Sequence, residues 1–245
     1  MNQPLVSIGI SRVTSSHAQV ANALGIGIVR GQYGEGALLP AEAELMKQFG
    51  TSRTVLREAI KTLAAKGMVV SKTKVGTKVR SRSAWNLFDP DVLRWYLAGG
   101  VDRRFLRDLS DIRLAVEPAA AALAAARHSE ADLVALDTAL TAMRDAKALN
   151  AGYAEADLAF HLALADASNN IFMRSIGAVI ETALLASFRL SLPSDDGQHA
   201  SSWQAHADIA DAIRRKDGAA AARATERVIR QGLERLGALD GPTVG

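Results

Sequence analysis

The sequence has 245 residues and a net charge of +3; 49% of the residues are apolar, only 5% are aromatic, and none is cysteine. The length allows one large domain or two smaller ones, and the lack of cysteine excludes disulfides and thiolate metal sites. No apolar run approaches the ~18 residues that span a bilayer, and residues 1–11 lack the basic and apolar parts of a secretion signal, so we expect a cytoplasmic protein with no membrane partner.

Basic charge is concentrated in the first third of the chain. Residues 1–83 carry 12 Lys+Arg and 4 Asp+Glu, whereas residues 84–245 carry 17 and 22. A solvated basic face would also produce this excess, but a basic module joined to a mildly acidic one is typical of nucleic-acid-binding proteins. We therefore interpret residues 1–83 as a candidate DNA-binding domain.

Three helices and a hairpin are predicted in this domain. The helices are expected at 16–30, 40–49 and 51–67. Pro40 suits the first turn of the second helix, Thr51 or Ser52 can cap the third, and Gly67 can end it. The following MVVSKTKVGTKVRS is β-branched and basic, with Gly76 near a turn, which indicates a two-stranded hairpin. This order of elements predicts a winged helix-turn-helix.

The third helix has an apolar face and a cationic face. Arg53, Arg57 and Lys61 recur four residues apart and so share one side. In a helix-turn-helix the second helix lies in the major groove with its N-terminal residues at base edges, and arginine can bond both O6 and N7 of guanine. The predicted DNA contacts of this helix are Ser52, Arg53, Thr54, Arg57 and Lys61. The wing is expected to reach phosphates through Lys72, Lys74 and Lys78.

A linker and a second domain follow. Residues 84–101 are predicted to contain a short helix that Asp89 caps and Pro90 begins, and their aromatic side chains indicate a segment that docks one domain on the other. Further helices are expected at 103–127, 129–148, 152–168, 170–191, 199–215 and 217–237. Residues 102–245 should therefore form an antiparallel helical bundle, and the fold class is mainly α.

Ionisable side chains fall on the apolar faces of three of these helices. Arg113 lies on one, Asp157 and His161 lie one turn apart in EADLAFHLALADASNN, and His206 lies on a third. Because burial of an unpaired charge is costly, these groups should meet one another or a ligand. Asp157, His161 and His206 offer a ligand set for a divalent metal such as zinc, nickel, manganese or iron. An open catalytic metal site is the remote alternative.

Arginine in this cluster predicts that an anion is bound. The planar guanidinium of Arg113 can hold a carboxylate through two parallel hydrogen bonds, and Arg189 and Arg235 are further candidates for effector binding. A polar lining with few aromatic residues favours a small hydroxylated acid over a long acyl chain. We expect a sugar acid.

Several stretches resemble a known family. LPAEAELMKQFGTSRTVLREAIKTLAAKGMVVSKTKVGTKV is similar to the amino-terminal module of GntR-type bacterial transcription regulators. DIRLAVEPAAAALAA, DLAFHLALADASNN and HADIADAIRRKDGAAAARA resemble the FCD effector domain of the FadR subfamily, and WNLFDPDVLRWYL is similar to regulators of sugar-acid catabolism. The resemblance covers about residues 16–237. It implies a repressor, and not an enzyme, in which residues 102–245 bind a small effector and dimerise. The implied effector that releases operator DNA is D-galactonate or a related aldonate, and lactate, another organic acid or a fatty-acid derivative is the alternative.

The resemblance also implies roles for single residues. It places DNA contacts at Ser52, Arg53, Thr54, Arg57 and the wing-tip residue Gly76. The family commonly has Arg after the glutamate of LPxE, where this chain has Ala43. It often binds metal with an Asp and three His; Asp157, His161 and His206 match three of these ligands, but Val228 replaces the third histidine. Two hypotheses therefore stay open, an effector held through a metal and an effector held by the polar groups alone.

Overall fold

The chain forms two compact units, Met1–Val101 and Asp102–Gly245. The computed structural model describes residues 15–100, 103–146, 151–190 and 196–238. Within these ranges only the backbone is described at 151, 187–190, 196 and 236–238. Both units are mainly helical, which confirms the predicted fold class.

The first unit contains the predicted helix-turn-helix. Its helices are α1 (Ser16–Val29), α2 (Glu42–Phe49) and α3 (Arg53–Ala65). α1 packs on α3 through apolar residues spaced about one turn apart on each helix. The left-handed Gly50 (φ 58°) closes α2, and the Ser52 hydroxyl accepts the Val55 N–H at the start of α3. The turn between the two helices is therefore short and doubly capped.

The start of α2 differs from the prediction. Ala41 is its N-cap residue, and the Glu44 carboxylate accepts the Ala41 N–H at 3.1 Å. Pro40 therefore lies before the helix rather than in its first turn. The reciprocal bond from Glu44 determines where this helix begins, and it outweighs the preference of proline for the first helical position.

The wing is a two-stranded antiparallel hairpin. β1 is Val69–Lys72 and β2 is Gly76–Val79, with Val69 opposite Val79 and Lys72 opposite Gly76. The chain reverses at Lys74, whose φ is 65°, and Gly76 has a φ of 115° that favours glycine. Val69 and Val79 are buried against the unit, whereas Lys72 and Lys74 are exposed. The predicted wing is confirmed.

The predicted linker packs onto this unit through α4 (Pro90–Gly99). The Asp89 carboxylate accepts the N–H groups of the first turn, as predicted, and lies 2.7 Å from Lys66 Nζ. Trp95 Nε1 donates to Asn22 Oδ1 at 2.7 Å, and its indole lies against Gly25 of α1, where any side chain would clash. Docking of one domain on the other by this segment stays a prediction.

Asp89→Ala is expected to lower the free energy of unfolding of the first unit by about 1–3 kcal/mol, because a helix cap and a charge-assisted hydrogen bond are lost together. Denaturant titration followed by tryptophan fluorescence measures this loss. Asp91→Ala is the matched control, since Asp91 also pairs with Lys66, at 2.8 Å, but does not cap the helix. Equal losses in the two variants would contradict the capping role.

The second unit is a bundle of seven described helices. They are α5 (Arg103–Arg127), α6 (Glu130–Asp145), α7 (Ala151–Ala167), α8 (Ile171–Ser175), α9 (Gly177–Leu190), α10 (Asp196–Arg214) and α11 (Gly218–Ala238). The helix predicted over 170–191 is interrupted at Ile176. A Cβ at Gly177 would lie 3.1 Å from Leu162 on α7, so this glycine permits a close approach of the two helices.

Small side chains fill much of the core of this unit. Buried alanines line α5 and α11, which pack on each other, and larger residues such as Phe160, Leu136 and Ile213 fill the spaces between the helices. Alanine allows the helix axes to approach closely and has the highest helix propensity. None of the helices described here is long and apolar enough to cross a membrane.

Candidate effector site and DNA-binding surface

A polar cluster lies inside the second unit, where α5, α7 and α10 bring four predicted residues together. Arg113 on α5 is 6% exposed, Asp157 and His161 on α7 are 4% and 1% exposed, and His206 on α10 is 1% exposed. The spacing of four residues places Asp157 and His161 on the same side of α7. The cluster is thus enclosed by the bundle core.

Glu117 is a fifth member of the cluster that the sequence reasoning missed. Arg113 Nε makes a short bond to Glu117 Oε1, and Arg113 Nη2 lies 3.3 Å from the other oxygen. His161 Nδ1 lies 2.6 Å from Glu117 Oε2. The position one turn after Arg113 on a buried face was the available signal. Because a carboxylate of the chain already pairs with Arg113, the guanidinium predicted to receive an effector is largely engaged.

The imidazoles each turn one ring nitrogen toward Asp157. His206 Nδ1 donates to the Ser202 carbonyl at 2.7 Å, and the close approach of His161 Nδ1 to Glu117 requires a proton there. In the neutral rings both Nε2 atoms therefore carry lone pairs. His206 Nε2 lies 3.1 Å from Asp157 Oδ1 and 3.4 Å from His161 Nε2. Arg113 Nη2 lies 3.3 Å from His161 Nε2 and can donate to it. His206 Nε2 and Asp157 Oδ1 have no such donor between them, and they repel each other unless a proton or a cation lies there.

The carboxylates of the cluster are ionised. Burial tends to raise the pKa of Glu117, but the charges of Arg113 and His161 outweigh it and hold this pKa at about 2. Burial also tends to raise the pKa of Asp157, yet the His206 hydrogen bond and nearby positive charge bring it below its usual range. Histidines that ligate a metal are neutral, so in a metal-loaded cluster the one arginine and two carboxylates contribute a net charge of −1.

The donor set fits a divalent cation. Asp157 Oδ2 is buried and has no hydrogen-bond partner among the described residues, which is costly for a carboxylate oxygen. Donor atoms of Asp157, His161 and His206 all lie within 4.8 Å of one another. Ligands bonded to zinc at ~2.0–2.2 Å lie about 3–3.5 Å apart, close to the separations around His206 Nε2. Val228 is a buried core residue and offers no fourth ligand.

Aromatic and hydroxyl groups support the two histidines. The Phe160 ring meets both imidazoles edge to face, with centroids 6.0 Å from His161 and 5.2 Å from His206. The Tyr153 hydroxyl donates to Ser202 Oγ at 2.6 Å, and burial raises the pKa of this tyrosine. Phe160, Tyr153 and Ser202 were not predicted, because their roles depend on contacts between helices.

The two other predicted arginines have different outcomes. Arg235 on α11 has a buried Nε with no hydrogen-bond partner among the described residues, and its positive charge acts on Tyr153. Arg235 therefore stays a candidate for effector binding. The side chain of Arg189 lies outside the described residues, and its predicted role stays a prediction.

The predicted DNA contacts lie on the exposed sides of α3 and the wing. They are Ser52, Arg53, Thr54, Arg57, Lys61, Lys72, Lys74, Gly76 and Lys78. The Arg53 and Arg57 side chains are 69% and 64% exposed, and each directs its Nε to Glu42 on α2, at 3.4 and 3.3 Å. Lys61 Nζ lies 2.8 Å from Glu58. A cationic surface thus extends from the start of α3 to the tip of the wing.

Comparison with known proteins identifies the family of the chain. Residues 16–79 match the bacterial regulatory proteins of the gntR family, and residues 108–231 match the FCD domain. The chain belongs to the GntR family. It is a DNA-binding transcription regulator of the GntR/FadR type and not an enzyme, as predicted. Regulators of this family bind operator DNA, and they bind small-molecule effectors through the FCD domain.

Two similar proteins are described as repressors, and a solved structure shares the fold. The chain is 36% identical over 217 residues to the galactonate operon transcriptional repressor of Escherichia coli, covering 87% of this chain and 93% of that protein. It is 31% identical over 205 residues to the transcriptional repressor NanR of Citrobacter rodentium, covering 81% and 76%. The solved structure of Lar, which controls the agr system of Listeria monocytogenes, has the same fold, with a TM-score of 0.65 at 21% identity over 94% of this chain and 100% of that one.

Proposed function

We propose that this GntR regulator represses genes of sugar-acid catabolism and leaves its operator when D-galactonate or a related aldonate binds in the polar cluster. The observation that carries the proposal is the buried group of Asp157, His161 and His206, whose ligand atoms converge and which includes a carboxylate oxygen, Asp157 Oδ2, with no hydrogen-bond partner among the described residues. Similarity to the galactonate operon repressor supports the effector class. We further propose that the protein acts as a homodimer, because helix-turn-helix dimers bind two half-sites about one helical turn apart.

The three residues of this group would hold a divalent metal, such as zinc, nickel, manganese or iron. When bound, the metal would supply positive charge and open coordination positions for carboxylate or hydroxyl oxygens. Glu117 orients His161 through Nδ1, and the Ser202 carbonyl orients His206, so that both Nε2 atoms face the site. A cluster of net charge −1 that receives a divalent cation becomes +1, which favours a monoanion such as an aldonate.

The polar groups around the site favour a hydroxylated effector. Tyr153 and Ser202 form a buried hydroxyl pair on the Asp157 side of α7 and α10. The unpartnered Nε of Arg235 is a hydrogen-bond donor that an effector oxygen would satisfy. Arg113 acts mainly by pairing with Glu117 and holding the cluster together, in contrast to the direct carboxylate contact expected from its sequence position.

A thermal-shift panel tests this function on the full chain. The protein is stripped with a chelator, reloaded with zinc, nickel or manganese, and mixed with D-galactonate, other aldonates, lactate or a fatty acid. A ligand at 100 times its Kd should stabilise the native state by about 2.7 kcal/mol. We expect stabilisation by an aldonate, and only after reloading. Stabilisation by lactate or the fatty acid alone, or by no carboxylate, would contradict the proposed effector class.

Glu117→Gln is expected to weaken metal binding roughly 10- to 100-fold, because the carboxylate that orients a ligating histidine also raises its basicity. Competition with a chromophoric chelator measures the metal affinity, on samples whose circular dichroism spectrum matches that of the wild type. Asp132→Asn is a control, because this carboxylate bonds to Ser129 at the start of α6 and does not orient a histidine of the cluster. Unchanged metal affinity in folded Glu117→Gln would contradict the orienting role.

A further inference from the structure

We propose that Glu42 positions both arginines of the recognition helix α3 and so determines how strongly the regulator prefers its operator over other DNA. The inference rests on the proposal that Arg53 and Arg57 contact base edges. Glu42 is not one of the residues predicted to touch DNA. Its role follows from its contacts with Arg53 and Arg57, which are predicted to touch DNA.

One carboxylate lies within ion-pair distance of two guanidinium groups. Glu42 Oε2 lies 3.4 Å from Arg53 Nε, and Glu42 Oε1 lies 3.3 Å from Arg57 Nε. The two arginines are one turn apart on α3, so a single carboxylate on the neighbouring helix can reach both. Each pairing uses Nε and leaves the Nη1 and Nη2 end of the guanidinium, which is the end that can bond two acceptors of guanine in parallel.

Other acidic residues near this surface have different partners. Glu44 accepts the Ala41 N–H and caps α2, and Glu58 pairs with Lys61. Among the described residues of α2 and α3, Glu42 is therefore the carboxylate that pairs with the two arginines. It is also the first residue of α2, where the positive end of the helix favours a negative charge.

Two opposing effects on DNA binding follow from this arrangement. A restrained arginine loses less side-chain freedom when it meets a base, and its fork is already aligned, which favours the correct sequence. The negative charge of Glu42 also reduces the attraction of this surface for phosphates, which weakens binding to every sequence. Glu42 should thus increase discrimination and decrease nonspecific affinity.

The test compares E42Q with wild type and with E35Q. Glu35 also lies in the first unit but pairs with Arg82, at 3.6 Å, so E35Q removes the same charge without releasing Arg53 or Arg57. Selection from a random duplex library with the wild-type full chain yields a preferred site. Fluorescence anisotropy then measures the Kd of each variant for this site and for a scrambled duplex.

We expect E42Q to bind the scrambled duplex more tightly and to lose roughly 5- to 10-fold in the ratio of the two affinities. E35Q should leave this ratio unchanged. In an Arg57→Ala background, E42Q should change the ratio less, because one of its two partners is absent.

Two results would overturn the inference. In the first, wild type selects a preferred site but E42Q has the same affinity ratio as wild type. This result refutes the role of Glu42, leaves base reading by α3 intact, and shows that Glu42 forms an ordinary surface ion pair. Failure of the wild type to select any site refutes base reading by α3 as well.

Discussion

Replacing Arg113 with methionine is expected to lower the free energy of unfolding of the second unit by about 3–5 kcal/mol, because it leaves Glu117 as a buried charge without its main cationic partner. Arg113 is 6% exposed and Glu117 is 2% exposed, so water cannot replace the lost contact. Because methionine retains much of the apolar volume of arginine, the decrease in the free energy of unfolding reflects the missing positive charge. Urea titration followed by circular dichroism at 222 nm measures it.

Two further variants decide whether the pair causes the loss. The double variant Arg113→Met/Glu117→Leu removes both charges and should recover much of the stability, as buried ion pairs replaced by apolar residues often do. Arg214→Met breaks an exposed pair with Asp137, 2.7 Å away, and should lose no more than about 1 kcal/mol. Equal losses in Arg113→Met and Arg214→Met would contradict the buried pair.

Arg57→Ala is expected to reduce the preference for the selected operator site over scrambled DNA by about 1–3 kcal/mol, the range for one bidentate contact to a base. Arg57 lies in the second turn of α3, and its side chain is 64% exposed. The loss should appear on the selected duplex and be small on the scrambled one. Anisotropy titrations on the two duplexes measure both affinities.

Lys74→Ala is the matched comparison, because this exposed lysine forms the turn of the wing and is expected to meet phosphates. It should weaken binding to both duplexes alike and reduce the slope of log affinity against log salt by about 0.9. Because Lys74 has a positive φ, Lys74→Gln should give the same result if the charge and not the turn is responsible. Parallel behaviour of the arginine and lysine variants would contradict the separation of base and phosphate contacts.

Periodicity and composition were sufficient to predict most of the fold. The two-sided pattern of α3, the β-branched residues of the wing and the capping pair at the start of α4 each depend on residues within one turn or one strand. The ends of elements were predicted less well where a distant contact decides them. The helix predicted over 170–191 is interrupted at Ile176, and no pattern within those residues indicates the break.

In the candidate site, too, local sequence patterns predicted some residues, and contacts between distant residues determined the others. Apolar stripes located Arg113, Asp157, His161 and His206, since each polar group interrupts a buried face. Glu117 was missed, although it lies on the same face as Arg113, because a glutamate beside an alanine-rich run is typical of a solvated surface. Its partner His161 lies 44 positions later in the sequence, so only the packing of α5 on α7 reveals the contact.

The central claim is that a small carboxylate bound at the buried cluster releases the regulator from DNA. The most direct measurement titrates D-galactonate into the zinc- or manganese-loaded full chain bound to its fluorescent selected duplex. We predict that the apparent Kd for DNA rises about 5- to 150-fold, the usual range of coupling between two sites, and that Asp157→Ala abolishes this rise. An unchanged DNA affinity with every aldonate, or an equal response in Asp157→Ala, would contradict the account.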